Sequence, residues 1–260
     1  AIVEHPDIRG ISFTGGTATG TIVAATAAPM FKKLSLELGG KNATVVLDDA
    51  PLDEIMDGIV KASFTNSGQV CLCGSRVLVH AAIYDRFKAM FIEAVNNIRV
   101  GMPSEEDTTM GSVISSEHRA NVEAYIALGR QEGGVILTGG SSSEAPVEGV
   151  PSEGAFLRPT VIEGLSHTAR TATEEIFGPV VTLHRFTTEQ EAVEMANATE
   201  YGLAGSVWTA DTERGHAFAQ RMDTGIVWVN TWLNRDLRTP FGGVKPVSYT
   251  HLRAHETNGY

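Results

Sequence analysis

The stretch Leu34-Ser35-Leu36-Glu37-Leu38-Gly39-Gly40-Lys41-Asn42-Ala43-Thr44-Val45-Val46-Leu47 holds two runs of strand length separated by a glycine pair. In the first run, Leu34–Leu38, apolar and polar residues alternate, so Glu37 points away from the side chosen by Leu36 and Leu38. The second run, Ala43–Leu47, is apolar throughout, as a strand covered on both faces is. Strand and helix patterns alternate outward from this stretch. Upstream, Ile8–Thr14 reads as a strand and Ala18–Ala28 as a helix of small residues. Downstream, Leu52, Ile55, Met56, Ile59 and Val60 recur at helical spacing within Leu52–Thr65. Val77–Val79 is a strand, and Tyr84–Ile98 is an amphipathic helix carrying Phe87, Phe91 and Val95 in one stripe. Ser115–Arg130 follows as a helix and Val135–Leu137 as a strand. Thr188-Glu189-Gln190-Glu191 has the form of a capping box ahead of another helix. Asp211 caps the helix that runs to Met222, and Gly225–Val229 is a buried strand. Such alternation predicts an α/β fold, a largely parallel sheet flanked by helices.

Composition narrows the partners. The 260 residues carry a formal net charge of −11, which argues against nucleic acid or an anionic membrane. No apolar run reaches the length of a membrane span. The two cysteines, Cys71 and Cys73, are too few for a disulfide framework, and free thiols point to a reducing, cytoplasmic setting. Gly139–Gly154 is rich in Ser, Gly, Glu and Pro and reads as a surface excursion. The chain opens inside an ongoing fold, and Val247–Tyr260 is polar without periodicity; both features suggest a fragment.

Several segments carry chemistry. Cys71 stands in Gly68-Gln69-Val70-Cys71-Leu72-Cys73-Gly74, and a glycine-flanked turn leaves backbone N–H groups near the sulfur to stabilise a thiolate or an oxyanion. Cys73 reads as structural. Glu37, at the Gly39-Gly40 turn, is placed to be a partly buried base that activates water. Phe13-Thr14-Gly15-Gly16-Thr17-Ala18-Thr19-Gly20 is a glycine-rich strand–helix turn of the kind that holds phosphates, though not a G-x-G-x-x-G fingerprint. Glu174-Glu175-Ile176-Phe177-Gly178-Pro179 offers a carboxylate for a ribose and an aromatic ring to pack beside it. Arg235 and Arg238 flank Asp236 just before Thr239-Pro240-Phe241, and arginine suits a carboxylate ligand. No metal site is expected; His251 and His255 alone do not make one.

Taken in order, Phe13–Gly20, Leu36–Asn42, Gly68–Arg76, Glu174–Val180, Tyr201–Thr209, Trp228–Asn230 and Pro240–Lys245 resemble the aldehyde dehydrogenase superfamily. The stretch from Asn230 to Phe241 is similar to the branch acting on 2-hydroxymuconate and 2-aminomuconate semialdehydes. The resemblance implies that Cys71 attacks an aldehyde, that a thioester follows, and that Glu37 activates the hydrolytic water. It implies NAD as cofactor, with NADP open. Gly15, Gly16, Leu38, Glu175 and Phe177 would contact it. Asn230, Trp232, Arg235, Arg238 and Phe241 would contact a semialdehyde whose far end carries a carboxylate, with Arg235 first choice to grip it. It further implies residues 1–38 as the remnant of a dinucleotide-binding domain, 39–246 as the catalytic domain, and 247–260 as a tail foreign to the fold. The parent would be a homodimer or homotetramer, and the 260-residue piece would be inactive alone. Two other readings stay open: a thiol acyl transferase or hydrolase without a nicotinamide cofactor, and a non-catalytic relative.

Overall fold

A computed structural model describes residues 1–236 and 238–246. Two sheets divide the chain. Strands β1 (Gly10–Thr14) and β2 (Lys33–Glu37) pair in parallel, with helix α1 (Thr17–Ala27) between them in sequence. Beyond the Gly39-Gly40 turn lie seven further strands: β3 (Ala43–Val46), β4 (Arg76–His80), β5 (Val135–Thr138), β6 (Thr160–Glu163), β7 (Val180–Phe186), β8 (Ala204–Trp208) and β9 (Ile226–Val229). They form one sheet in the order β5-β6-β7-β4-β3-β8-β9, parallel throughout except for β5 against β6. Helices α2 (Leu52–Phe64), α3 (Tyr84–Asn96), α4 (Ser116–Gln131), α5 (Arg170–Thr173), α6 (Glu189–Asn197) and α7 (Thr212–Ala219) accompany the strands. None of the helices among the described residues is long and apolar enough to cross a membrane.

The central strands are buried on both faces, which is why Ala43–Val46 carries no alternation. One core joins the apolar faces of α2 and α3 to Val77, Val79, Val181 and Leu183. Phe87 and Phe91 stack there at 5.4 Å and are wholly buried. Each such ring contributes about 2–3 kcal/mol by leaving water. A second core, on the other side, packs Ala192, Met195, Ala196 and Phe218 on Val45, Leu78 and Val207. The caps form as their residue types require: the side chain of Ser115 accepts from His118 N–H, Thr188 from Glu191 N–H and Asp211 from Arg214 N–H.

β6, β7 and β8 carry no sustained alternation in the sequence, and the structure adds them to the expected strands. Ala204-Gly205-Ser206-Val207-Trp208 is short, mixed and entirely buried; Ser206 donates to Thr44 across the sheet at 3.3 Å and accepts from Trp208 Nε1 at 3.0 Å. The tail read as foreign, with His251 and His255, lies outside the described residues.

Candidate active site

Parallel pairing decides where the chemistry gathers. β7, β4, β3 and β8 are neighbours running the same way, with Arg76 paired to Ala43 and Thr182, and Ala43 to Gly205. The segments entering these strands must therefore lie side by side. They are Gly39–Asn42, Cys71–Ser75, Glu174–Pro179 and Tyr201–Leu203. β2 ends at Glu37 and feeds directly into the first of them, so the carboxylate and the thiol both precede the starting ends of neighbouring central strands, β3 and β4.

The approach to Cys71 is built in left-handed backbone. Asn66, Ser67 and Gly68 have φ of 53°, 57° and 72° in succession. Ser67 Oγ donates to Gly111 O at 3.0 Å, and Gln69 Oε1 accepts from Ile114 N–H at 2.9 Å. A Cβ on Gly68 would stand 2.1 Å from Gly178 O, so the Glu174–Pro179 segment packs on this turn at backbone distance. Cys71 is half-buried. Burial pushes its thiol above the ordinary range, and the carboxylates of Glu175 and Glu37 push it further, while its own N–H and the Arg235 guanidinium pull it down. One sulfur thus feels both candidate carboxylates and the first-choice arginine. Cys73 is buried, donates to Thr65 O at 3.7 Å, and is pushed up to about 12 by burial. That inert setting fits the structural role expected of it.

Glu37 is half-buried between buried Leu36 and Leu38. Its carbonyl accepts from Gly15 N–H at 3.0 Å, and Thr14 pairs with it in register. The glycine-rich turn therefore stands beside the acid. A Cβ on Gly16, the residue capping α1, would meet nothing within 4 Å. The Leu38 side chain is packed away: a Cβ on Gly20 would stand 2.4 Å from its Cδ2. Any contact of Leu38 with a cofactor is through its backbone.

Glu175 Oε1 accepts from Gly40 N–H at 3.0 Å. Burial raises its pKa, opposed by that N–H and by Lys41. Phe177, at φ 55°, is 40% exposed, and its carbonyl accepts from His118 Nε2 at 2.7 Å. A fixed carboxylate over a glycine pair, with an uncovered ring two residues on, fits a ribose and the base attached to it.

The residues from Asn230 to Phe241 separate. The Arg235 guanidinium lies 4.4 Å over the Phe241 ring, and both line a cleft of about 210 Å³ with Trp228 and Asn234. Arg238 does not line that cleft; almost fully exposed, its Nε donates to both carboxylate oxygens of Asp236, at 2.9 and 3.0 Å, and it is the Asp236 carboxylate that lines the cleft beside Arg235. Trp232 Nε1 donates to Leu72 O at 2.9 Å, next to the nucleophile candidate. Asn230 Oδ1 accepts from Thr209 N–H at 2.9 Å, and with Trp232 it lines a separate groove of about 890 Å³ against α2.

Two residues carry the site without having been singled out in the sequence. Lys41 is buried, its Nζ donating to Thr171 O at 2.9 Å, and burial with the Arg76 charge lowers its pKa to about 7. Asn42 Nδ2 donates to Cys71 O at 2.7 Å. Both sit in the Gly39–Asn42 connection, and their polarity there was the available signal: buried lysine and asparagine need partners.

A thiol and the Glu175 carboxylate stand where β4, β3 and β7 begin, and Glu37 with the glycine-rich strand–helix turn lies just before β3, which makes this the candidate site. The sequence matches the Aldehyde dehydrogenase family over residues 1–257, and the chain belongs to that family. It is 47% identical to the 2-aminomuconic 6-semialdehyde dehydrogenase of a Pseudomonas species, over 93% of this chain and 49% of that protein. It is 43% identical to the 2-hydroxymuconic semialdehyde dehydrogenase of Pseudomonas sp. strain CF600, over 94% of this chain and 50% of that protein. The crystal structure of betaine aldehyde dehydrogenase from Staphylococcus aureus in complex with NAD+ superposes with a TM-score of 0.89 at 39% identity, covering 94% of this chain and 48% of that one. The chain spans about half the length of the curated relatives it matches.

Proposed function

We propose that this chain is the catalytic half of an NAD-dependent aldehyde dehydrogenase acting on a semialdehyde that carries a carboxylate at its far end. What supports this reading most is that parallel pairing sets Gly39–Asn42, Cys71–Ser75 and Glu174–Pro179 side by side, with Gly40 N–H on Glu175 at 3.0 Å and Asn42 Nδ2 on Cys71 O at 2.7 Å. In this scheme the Cys71 thiolate attacks the aldehyde carbon, and the Cys71 N–H supports the oxyanion of the thiohemiacetal. Bound NAD+ would supply the hydride acceptor that turns that adduct into a thioester. Glu175 would hold the nicotinamide ribose, with Phe177 beside it and the Gly15-Gly16 turn nearby. Glu37 takes a proton from water, the hydroxide adds to the thioester carbon, and the acid leaves as the Cys71 thiolate is restored. NADP in place of NAD fits the same residues.

The substrate class follows from Arg235. Stacking on Phe241 fixes its plane and leaves its donors for a carboxylate in the adjoining cleft. The relatives named for muconic semialdehydes agree with such a substrate. The test joins this chain to the dinucleotide-binding half that the family resemblance implies, and adds NAD+ and 2-hydroxymuconic semialdehyde. NADH absorbance should rise, and Cys71→Ala should abolish the rise. No NADH from a folded, full-length enzyme would count against the assignment. The 260-residue chain alone is proposed to be inactive; robust turnover by it would overturn that part.

A further inference from the structure

Cys71 sits at the second position of the turn Val70–Cys73, which closes with a bond from Cys73 N–H to Val70 O at 2.9 Å. A turn of this kind leaves its other carbonyls pointing outward and in need of donors. Ser75 N–H donates to Cys73 O at 3.1 Å, and side chains from distant segments supply the other donors. Asn42 Nδ2 donates to Cys71 O at 2.7 Å and to Cys73 O at 2.9 Å. Trp232 Nε1 donates to Leu72 O. Asn42 Oδ1 accepts from Ala204 N–H at 3.1 Å, which fixes the orientation of the amide. Asn42 is 4% exposed, and its own carbonyl accepts from Arg76 N–H at 3.2 Å. Gly40 makes the approach possible: a Cβ there would stand 2.6 Å from Cys71 O and 2.9 Å from Asn42 Oδ1.

We propose that Asn42 is the positioning residue of the nucleophile: its amide, assisted by the Trp232 indole, holds the Val70–Cys73 turn so that the Cys71 thiol and N–H keep a set relation to Glu37. This rests on the reading of Cys71 as nucleophile. Asn42 lies in the same connection as Glu37, between the end of β2 and the start of β3. Base and nucleophile are therefore tied together through one buried side chain. A residue that served only to fill space would be replaceable by leucine of similar size with no change at the sulfur. Here leucine removes both Asn42 bonds. Trp232, Ser75 N–H and the Cys73–Val70 bond still hold the turn, but Cys71 O loses its Asn42 donor and the backbone at Cys71 is less firmly set against the sulfur that its N–H stabilises.

The test measures alkylation of Cys71 by iodoacetamide across pH, read by mass spectrometry, in Asn42→Leu, Asn42→Ser and Trp232→Phe. Circular dichroism checks that each variant is folded. Alkylation needs neither NAD+ nor aldehyde, so a failed dehydrogenase assay leaves its outcome intact. Asn42→Leu should slow alkylation at pH 8 by about tenfold and move the midpoint to higher pH. Asn42→Ser, which keeps one donor, should fall between it and the parent, and Trp232→Phe should shift the same way by less. Folded Asn42→Leu with the parent's pH profile would overturn the proposal. Should Asn42→Leu fail to fold, Asn42→Ser with an unchanged profile overturns it equally.

Discussion

The N–H of Gly40 donates to Oε1 of Glu175 across 135 residues of sequence, and Gly39 has no space for a side chain, since a Cβ would stand 2.1 Å from Oε2. The carboxylate is thereby pinned over the connection that links Glu37 to Asn42. It cannot move off without losing a hydrogen bond in a half-buried place, which costs about 1–3 kcal/mol. A carboxylate held there also burdens the thiolate of Cys71.

Glu175→Gln should separate these two roles. Glutamine can still accept from Gly40, but it carries no charge. With that charge gone, the Cys71 pKa falls from its raised position, and alkylation of the apo protein at pH 8 should quicken by ~3- to 10-fold. In the full-length enzyme the KM for NAD+ should rise, because a neutral amide is a poorer acceptor for ribose hydroxyls. Slower or unchanged alkylation would remove Glu175 from the electrostatics of the thiol.

The two arginines make a paired prediction. Arg235→Ala should raise the KM for an anionic semialdehyde by about 10- to 100-fold, and that for a neutral aldehyde far less. Arg238→Ala should change neither beyond twofold, since Arg238 is fully exposed and engaged with Asp236. Initial rates on both substrates decide it. Equal losses on both substrates in Arg235→Ala would deny that residue the carboxylate.

Much of this was legible in the chain. Helices α2, α3 and α4 declare themselves through apolar spacing, and Thr188 and Asp211 through cap chemistry. Cys71, Glu37 and Glu175 drew notice as candidates because each lies within two or three residues of a glycine in a turn. β3 shows itself as an unbroken apolar run, whereas Gly205 and Ser206 break up β8, so the doubly buried strand has neither a period nor a run to read. Asn42 was hidden because its partners are carbonyls of residues far along the chain, and backbone acceptors leave no mark in a sequence. Arg235 and Arg238 look alike on paper; only Phe241 and Asp236 in space tell them apart.

Gly68→Ala should be among the most damaging single-methyl changes in the protein. At φ 72° an L-residue is strained by about 1–2 kcal/mol. The added Cβ also meets the Gly178 carbonyl, a backbone atom that cannot rotate away. Together these should lower stability by about 2–4 kcal/mol, read from the urea midpoint. Even a folded Gly68→Ala should lose Cys71 reactivity, because the Asn66–Gly68 turn sets the path into Val70–Cys73. A loss under 1 kcal/mol would mean that the Glu174–Pro179 segment yields more easily than its packing implies.

His184 provides the pH test. It is 5% exposed in β7, shares a hydrogen bond with Thr182 Oγ1 at 3.0 Å, and is held neutral down to about 3 by burial and by the charges of Arg76, His167 and Lys41. Unfolded, the imidazole titrates near its ordinary 6.5. Between those values the unfolded chain binds a proton that the folded protein refuses. Acid therefore favours unfolding: the contribution of His184 is whole above pH 6.5 and is lost as pH falls toward 3. The slope is at most about 1.4 kcal/mol per pH unit in that window. His184→Gln, which retains a partner for Thr182, should flatten the decline in urea midpoint between pH 6 and pH 4.5. Other groups titrate there too, so the difference between parent and variant is the quantity to follow. Parallel declines in the two proteins would show that the buried imidazole is not the source of acid sensitivity.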